Sequence, residues 1–246
     1  VSVTTTDDDV AGFTITESDG STSVSESGTT DTFTIVLDAE PASDVVLTIT
    51  SGDTGEATVT SPLTFTPANW NSAQTVTVTG VDDDIIDGNI TSTLTVTVND
   101  GSSDNDFDGV NDETVSVTTV DNDAAGFTIT ESDGSTSVAE SGTTDTFTVV
   151  LDAQPASDVV LDITSSDTGE ATVTSSLTFT SGNWNSAQTV TVTGVDDNLV
   201  DGTQTPTLTI TVNDGSSDNN FDGVGDQTVS VTTVDNDVAG FTITES

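Results

Sequence analysis

The stretch Thr75-Val76-Thr77-Val78-Thr79 decides the fold class, because hydroxyl and apolar side chains alternate along it. Successive side chains of a β-strand point to opposite faces of the sheet, so the two valines would face a core and the threonines would face solvent. Seven other segments have strand-like alternation or are short apolar runs: Phe13–Ile15, Asp31–Asp38, Asp44–Thr50, Thr58–Thr60, Leu63–Phe65, Thr93–Val98 and Thr114–Val120.

About seven short strands with turn residues between them predict an all-β fold, an immunoglobulin-like antiparallel β-sandwich. No segment has the periodicity of an amphipathic helix. A unit of this length can bury a modest core, and we expect Trp70 and Trp184 to be its largest members.

The glycines Gly12, Gly126 and Gly240 are spaced by 114 residues, and each begins the same sequence, Gly-Phe-Thr-Ile-Thr-Glu. A repeat of this period predicts tandem sandwiches joined end to end. The predicted parts are 1–11, the last strand of a preceding repeat; 12–123, repeat one; 124–237, repeat two; and 238–246, the first strand of a following repeat. We therefore expect the chain to be a slice of a longer array.

The composition is extreme, with no Lys, Arg, His, Cys, Met or Tyr and a formal net charge of −43. No side-chain cation can neutralise the carboxylates, so they are either spread over solvent or bound to metal ions. Nucleic acid and anionic membrane surfaces are excluded as electrostatic partners, and no run is long enough to insert into a membrane. Without His, Cys, Lys or Tyr, no ordinary base–nucleophile pair can be built, so we expect no enzyme.

Four acidic turns follow alternate strands of repeat one: Ser25–Gly28, Ser51–Glu56, Val81–Gly88 and Asp121–Asp123. In an up-and-down antiparallel sandwich, alternate turns lie at the same end, so we expect the four turns to meet at one tip. Carboxylates brought together without a cation repel one another. Calcium accepts six to eight oxygen ligands in irregular geometry, and an all-oxygen site suits it better than zinc or copper.

The motifs in these turns resemble those of Calx-beta domains, the calcium-binding sandwiches of the sodium/calcium exchanger's regulatory loop and of bacterial surface proteins. The run Phe65–Asp83 is similar to repeats of long bacterial adhesins and RTX-type giant extracellular proteins. The resemblance implies calcium ligands at Glu26, Asp53, Asp82, Asp83, Asp87, Asp121 and Asp123 in repeat one, and at Glu140, Asp167, Asp196, Asp197, Asp201, Asp235 and Asp237 in repeat two. Asn122, Asn236 and Asn198 depart from the motif, which leaves the number of ions open.

A second acidic loop lies between the last two predicted strands of each repeat. Its Asp-x-[Asp/Asn]-x-Asp-Gly spacing is that of calcium loops, although Val115 stands where a bidentate Glu is expected. A plain Asp-Gly turn is the alternative. The candidate ligands are Asp104, Asp106, Asp108 and Asp112 in repeat one, and Asp218, Asn220, Asp222 and Asp226 in repeat two.

The leading hypothesis for function is a calcium-stiffened extracellular rod, the structural extender or fibre of a bacterial-type adhesin at the cell surface or in a biofilm. Its partners would be calcium ions, neighbouring repeats and other copies in a fibre. One alternative is a module that binds a glycan or another partner through Trp70 and Trp184. A calcium sensor is the other alternative, ranked lower because a sensor needs one or two tuned sites rather than an array.

Overall fold

The computed structural model describes residues 1–4, 6 and 8–245, which form two compact units. The first unit comprises 1–83 and 87–122, and the second comprises 84–86 and 123–246. Each unit contains one β-sandwich with nine strands among the described residues. The predicted all-β, immunoglobulin-like fold is confirmed.

The strands of repeat one alternate buried positions with half-buried or exposed ones, in line with the threonine–valine pattern. In β7, for example, Val76 and Val78 are buried. Its strands are β1 (Phe13–Glu17), β2 (Thr22–Ser25), β3 (Thr30–Leu37), β4 (Val45–Ser51), β5 (Ala57–Val59), β6 (Leu63–Phe65), β7 (Gln74–Gly80), β8 (Ile90–Val98) and β9 (Glu113–Val120). Two short 3-10 turns, Asp100–Ser102 and Asn105–Phe107, lie between β8 and β9.

Repeat two has the same succession of elements. Its strands are β10 (Phe127–Glu131), β11 (Thr136–Ala139), β12 (Thr144–Leu151), β13 (Val159–Ser165), β14 (Ala171–Val173), β15 (Ser176–Phe179), β16 (Gln188–Gly194), β17 (Thr207–Val212) and β18 (Gln227–Val234). The 3-10 turns Asp214–Ser216 and Asn219–Phe221 lie between its last two strands.

Each sandwich consists of a four-stranded and a five-stranded sheet. In repeat one the strand orders are β1-β3-β7-β5 and β2-β9-β8-β4-β6, and in repeat two they are β10-β12-β16-β14 and β11-β18-β17-β13-β15. The four acidic segments predicted to meet in repeat one are the turns after β2, β4 and β7 and the segment after β9. The topology therefore places all four acidic segments directly after strands of the same sandwich.

The main departure from the sequence prediction is β2, which the alternation did not reveal as a separate strand. The chain passes from β1 in one sheet to β2 in the other through a turn at Gly20, whose φ of 81° favours glycine. β2 then pairs parallel to β9, from Thr22 opposite Val117 to Ser25 opposite Val120. A four-residue edge strand has too little periodicity to be recognised from the sequence.

Phenylalanines, rather than tryptophans, are the largest fully buried side chains of the two cores. They are Phe33, Phe65 and Phe107 in repeat one and Phe147, Phe179 and Phe221 in repeat two. Trp70 and Trp184 are half-buried and pack against the core clusters from outside. No helix among the described residues is long and apolar enough to span a membrane.

The segments predicted to belong to neighbouring repeats form no strand in the described residues 1–4, 6, 8–11 and 238–245. Thr5, Asp7 and Ser246 lie outside the described residues. The assignment of these segments to further repeats stays a prediction.

Candidate metal centre

Repeat two brings five carboxylates into two overlapping groups. Glu140, Asp235 and Asp237 form one group, and Glu140 forms the other with Glu170 and Asp201. Within each group, one carboxylate oxygen from every residue lies within 4.8 Å of the others. Glu140 belongs to both groups and therefore stands at the centre of what we call the tip cluster. The tip cluster of repeat two comprises Glu140, Glu170, Asp197, Asp201, Asp235 and Asp237.

Repeat one has the corresponding arrangement around Glu26. Oxygens of Glu26, Glu56 and Asp83 lie within 4.8 Å of one another, and Asp121 is equally close to Glu26. The tip cluster of repeat one comprises Glu26, Glu56, Asp83, Asp87 and Asp121. Asp123 falls in the second compact unit. Its counterpart Asp237 belongs to the tip cluster of repeat two.

Backbone hydrogen bonds hold the two central glutamates of repeat one in place. The Glu26 N–H donates to the Val120 carbonyl at 3.2 Å, and the Glu56 carbonyl accepts from the Val81 N–H at 2.8 Å. Gly80, at the end of β7, lies against the Ser25 carbonyl so closely that any Cβ at this position would collide with it. The glycine thus permits the close approach of β7 to the turn that carries Glu26.

The same hydrogen bonds recur in repeat two. The Glu140 N–H donates to the Val234 carbonyl at 3.2 Å, and the Val195 N–H donates to the Glu170 carbonyl at 2.8 Å. Gly194 has no room for a Cβ beside the Ala139 carbonyl. In both repeats, backbone hydrogen bonds and a closely packed glycine therefore fix the turns that carry the central glutamates.

The glutamates are buried, which is unusual for a carboxylate. Glu26 and Glu140 are each 1% exposed, and Glu56 and Glu170 are each 7% exposed. Among the described residues, buried carboxylate oxygens without a hydrogen-bond partner include Glu56 Oε2, Glu140 Oε1, Glu170 Oε2 and Asp237 Oδ2. A buried charge without a partner is costly. Because the chain contains no Lys, Arg or His, no side chain of its own can compensate these oxygens.

Burial raises the pKa of all four glutamates, and neighbouring carboxylates raise it further. Burial is the main cause for Glu26, reinforced by Asp121, Asp83 and Asp87. It is also the main cause for Glu56, followed by the charge of Asp87. The pKa of Asp87 is likewise raised, first by burial and then by Asp83.

The pKa values of repeat two shift in the same direction for the same reasons. Burial raises the pKa of Glu140, with Asp235 adding to the effect, and it raises that of Glu170, with Asp201 adding to the effect. Burial also raises the pKa of Asp237. Asp235 is the exception, because the N–H groups of Asp237 and Gly202 donate to its carboxylate and lower its pKa.

An asparagine, Asn122 in repeat one and Asn236 in repeat two, orders each cluster through two hydrogen bonds. In repeat one, the Asn122 N–H donates to Glu26 Oε2 and its side-chain amide donates to Asp82 Oδ1, both at 3.1 Å. In repeat two, Asn236 makes the same contacts to Glu140 and Asp196, at 3.3 and 3.1 Å. The asparagine therefore positions a central glutamate and a peripheral aspartate through two hydrogen bonds.

The structure places the implied ligands at different depths. Asp82 and Asp196 are exposed, held by the asparagine amides. Asp53 and Asp167 are also exposed, and one oxygen of each accepts from the N–H two residues on, that of Gly55 or Gly169. Their charges still reach the buried glutamates, since Asp53 raises the pKa of Glu56 and Asp167 raises that of Glu170. The remaining implied ligands lie in the clusters, namely Glu26, Asp83, Asp87 and Asp121 in repeat one and Glu140, Asp197, Asp201, Asp235 and Asp237 in repeat two.

The sequence pattern did not indicate Glu56 and Glu170 as members of the tip clusters. Both stand at the end of an acidic turn that was recognised, directly before the buried alanine that begins β5 or β14. That position next to a buried strand residue was the available signal, because it directs the glutamate inward, whereas the aspartate three residues earlier stays at the turn surface.

The second acidic loop has a different structure, and we call it the 3-10 loop (103–112 in repeat one and 217–226 in repeat two). Asp104 is buried, and its carboxylate accepts from the Asp106 N–H at 3.1 Å and from the Ser43 N–H at 2.7 Å. Asp218 caps the equivalent turn through the Asn220 and Ser157 N–H groups. The other candidates, Asp106, Asp108, Asp112, Asn220, Asp222 and Asp226, are exposed.

These hydrogen bonds lower the pKa of both capping aspartates. For Asp104 the Asp106 N–H is the largest cause. For Asp218 burial opposes the shift, and the N–H groups of Asn220 and Ser157 outweigh it. Within the described residues, the 3-10 loop contains no group of three acidic side chains whose oxygens converge.

No family model matches the chain, and no curated protein matches it. Similar solved structures include the calcium binding domain CBD12 of CALX1.1, which is 14% identical with a TM-score of 0.34 over 80% of each chain. Domains 4 and 5 of the S-layer protein SbsC are 24% identical with a TM-score of 0.35 over 76% of each chain. An endo-fucoidan hydrolase of glycoside hydrolase family 107 is 13% identical with a TM-score of 0.30, over 89% of this chain and 28% of that one.

Proposed function

We propose that each tip cluster binds calcium, and that the chain is a calcium-stabilised structural module of the extracellular surface. The observation that carries the proposal is the set of buried carboxylate oxygens without a hydrogen-bond partner in a chain that has no cationic side chain. A divalent cation would compensate these charges. Calcium fits best because every available ligand is an oxygen and the groups are irregular.

The proposed ligands in repeat two are Glu140, Glu170, Asp201, Asp235 and Asp237, with Asp197 beside them. In repeat one they are Glu26, Glu56, Asp83, Asp87 and Asp121. Bound calcium would supply positive charge where the four segments of a tip converge, and so tie together strands from both sheets. The backbone hydrogen bonds of Glu26 and Glu140 would keep these glutamates ready for the ion.

The structural role follows from duplication. Two repeats carry matching clusters on matching strands, which suits a load-bearing array better than a single tuned site. An extracellular location supports the role, because calcium near the millimolar level outside cells would fill even weak sites. A bacterial-type adhesin rod is the setting we propose, and the role requires no catalysis.

Isothermal titration of the chelator-stripped chain with calcium tests the proposal. We expect saturable binding to both repeats and weaker binding of magnesium, which demands tighter octahedral geometry. The variant Glu26→Gln with Glu140→Gln should lose most of the binding heat. Glu40→Gln is a matched control, since Glu40 is exposed and outside both clusters. Equal binding by all three proteins, or a preference for zinc, would contradict the proposal.

A further inference from the structure

A cavity of about 230 Å³ opens beside the tip cluster of repeat two, between the turn after β13 and the segment directly before β17. Its lining residues are Ser166, Asp167, Glu170, Gln204, Thr205 and Pro206. Ser166, Asp167 and Thr205 are exposed, whereas Glu170 and Pro206 are buried. The cavity therefore leads from solvent to a buried member of the cluster.

Glu170 connects this cavity to the other carboxylates. Its side chain is 7% exposed, and its buried Oε2 has no hydrogen-bond partner. One oxygen of Glu170 lies within 4.8 Å of oxygens of Glu140 and Asp201. A cation that enters the cavity thus reaches a carboxylate that already belongs to a converging group.

The lining of the cavity is a place where the two repeats differ. The corresponding positions in repeat one are Gly52, Asp53, Glu56, Ile90, Thr91 and Ser92. The two acidic residues and the threonine are the same in both repeats, and the other three positions differ. Over the whole repeat, 19 of 114 positions differ, so the substitutions are concentrated around this cavity.

These substitutions shorten the strand that borders the cavity. In repeat one, β8 begins at Ile90 and pairs with β9 from that residue onward, with Ser92 buried inside the ladder. In repeat two, Pro206 has no N–H to donate, and β17 begins only at Thr207. Before it, the chain pairs with β18 through an isolated bridge at Gln204. Repeat one thus has a continuous strand with an apolar isoleucine where repeat two has an interrupted strand with a polar glutamine.

We propose that the cavity is a side entrance to the tip cluster of repeat two, through which calcium enters and leaves faster than it does in repeat one. This role rests on the calcium binding proposed above and adds the route that the ion takes. Asp167 at the mouth supplies negative charge that attracts a cation. Hydroxyl and amide oxygens of Ser166, Gln204 and Thr205 replace water molecules around the ion as it passes.

The entrance affects rates and not affinity. Where a binding site has no open route, part of the structure must move before the ion passes, and this movement slows binding and release alike. An open route increases both rates by the same factor, because the free and bound states themselves are unchanged. Fast exchange at unchanged affinity is therefore the property that distinguishes an entrance from an additional ligand.

Stopped-flow release of calcium tests the proposal. The calcium-loaded chain is mixed with an excess of a fluorescent chelator, and the release is followed in time. The variants Glu26→Gln and Glu140→Gln, each of which leaves one tip cluster intact, assign the release phases to the two repeats. We expect release from repeat two to be at least about five times faster than release from repeat one.

Exchanging the lining between repeats locates the cause. The triple variant Ser166→Gly, Gln204→Ile and Pro206→Ser gives the cavity the residues of repeat one. We expect it to slow release from repeat two at least about fivefold, while the affinity measured by titration calorimetry stays within about twofold. The matched control is Ser181→Pro with Gly182→Ala, which also introduces residues of repeat one but outside the lining, and it should leave the rate unchanged.

Two further variants guard against a triple variant that does not fold. Gln204→Ile alone narrows the mouth without altering a proline, and it should slow release from repeat two at least about twofold. The reciprocal variant Gly52→Ser, Ile90→Gln and Ser92→Pro should speed release from repeat one at least about fivefold. Repeat two already folds with these three residues at the corresponding positions.

The outcomes separate the entrance from the calcium site itself. Equal release rates in the two repeats, or exchanged linings that leave the rates unchanged, would overturn the entrance while calcium binding stands. Exchanged linings that lower the affinity at an unchanged rate of binding would also overturn it, by making the lining residues ligands. A chain that binds no calcium in titration calorimetry would overturn the proposed function, and the entrance with it.

Discussion

The tip cluster and the 3-10 loop are both acidic, yet their carboxylates are satisfied in different ways. In the 3-10 loop, Asp218 accepts from the N–H groups of Ser157 and Asn220, and its pKa is lowered. In the tip cluster, Glu170 Oε2 is buried without a hydrogen-bond partner, and its pKa is raised. The density of acidic residues in the sequence is similar in the two regions. The supply of backbone donors is what distinguishes them.

This difference separates a structural carboxylate from a ligand. A carboxylate that caps a turn has its charge compensated by N–H dipoles and contributes to stability by itself. A buried carboxylate that faces other carboxylates is stabilised either by an external cation or by taking up a proton. The comparison therefore predicts that calcium stabilises the chain through the tip clusters and that the 3-10 loops contribute without it.

Chelation should have the largest effect. Removing calcium from the chain is expected to lower Tm by about 10–20 °C. Saturation at about 100 times the dissociation constant stabilises a domain by about 2.7 kcal/mol, and each 1 kcal/mol shifts Tm by roughly 4–8 °C at this domain size. Differential scanning calorimetry with calcium, with chelator and with magnesium measures it. An unchanged Tm in chelator would remove the basis of the comparison.

The variant Glu140→Gln should have the next largest effect. The sign of its effect on stability should differ between calcium and chelator. In calcium, we expect the affinity of repeat two to fall by about 10- to 100-fold, because a charged ligand shared by both groups is lost. In chelator, the same variant should be at least as stable as the wild-type chain, because the substitution removes a buried charge among like charges.

Titration calorimetry and chemical denaturation check the two halves of this prediction. Glu26→Gln is the matched variant, expected to affect repeat one and leave repeat two unchanged. A loss of stability in chelator as large as that in calcium would show that Glu140 is a structural residue.

The variant Asp218→Asn should have a smaller effect that is independent of calcium. Asparagine keeps an acceptor oxygen but loses the charge and one of the two acceptors, so we expect a loss of about 1–3 kcal/mol in the free energy of unfolding. Denaturation in calcium and in chelator should give the same difference, and calcium affinity should stay within about twofold. A tenfold loss of affinity would instead make the 3-10 loop a calcium site.

The pH dependence of stability should be the smallest effect, and it should again distinguish the tip clusters from the 3-10 loops. In chelator, the folded chain retains protons on Glu26, Glu56, Glu140 and Glu170 above their ordinary pKa of 4.5, where the unfolded chain has released them. The folded state then binds more protons, so stability decreases as pH rises from about 4.5 through the raised pKa values. The capping aspartates have lowered pKa values, and their contribution is lost only when pH falls below their ordinary 3.8.

We therefore expect the chelated chain to be more stable at about pH 5 than at pH 7. In calcium the trend should weaken or reverse, because protons compete with the ion for the same oxygens. Urea denaturation at the two pH values, with and without calcium, measures this, and Glu56→Gln with Glu170→Gln should reduce the slope in chelator. A chelated chain that is less stable at pH 5 would contradict the raised pKa values.

The sequence by itself determined the fold class. Strict alternation along runs such as Thr75–Thr79 has period two, and only a strand half-buried on one face satisfies it. The sequence also established that no side chain of the protein can neutralise its carboxylates, because the chain has no Lys, Arg or His. Both conclusions follow from composition and local periodicity, so neither required the position of any distant residue.

Only the tertiary structure decided which acidic residues lie together. The spacing of the 3-10 loop matches that of calcium loops, but Asp104 is directed towards the Ser43 N–H, a donor 61 positions away in the chain. Glu56 became a ligand candidate because β5 begins directly after it and turns its side chain inward beside Glu26. Whether a carboxylate caps a turn or joins a cluster depends on the hydrogen-bond donors and charges that other strands place beside it. A linear sequence pattern does not contain these neighbours.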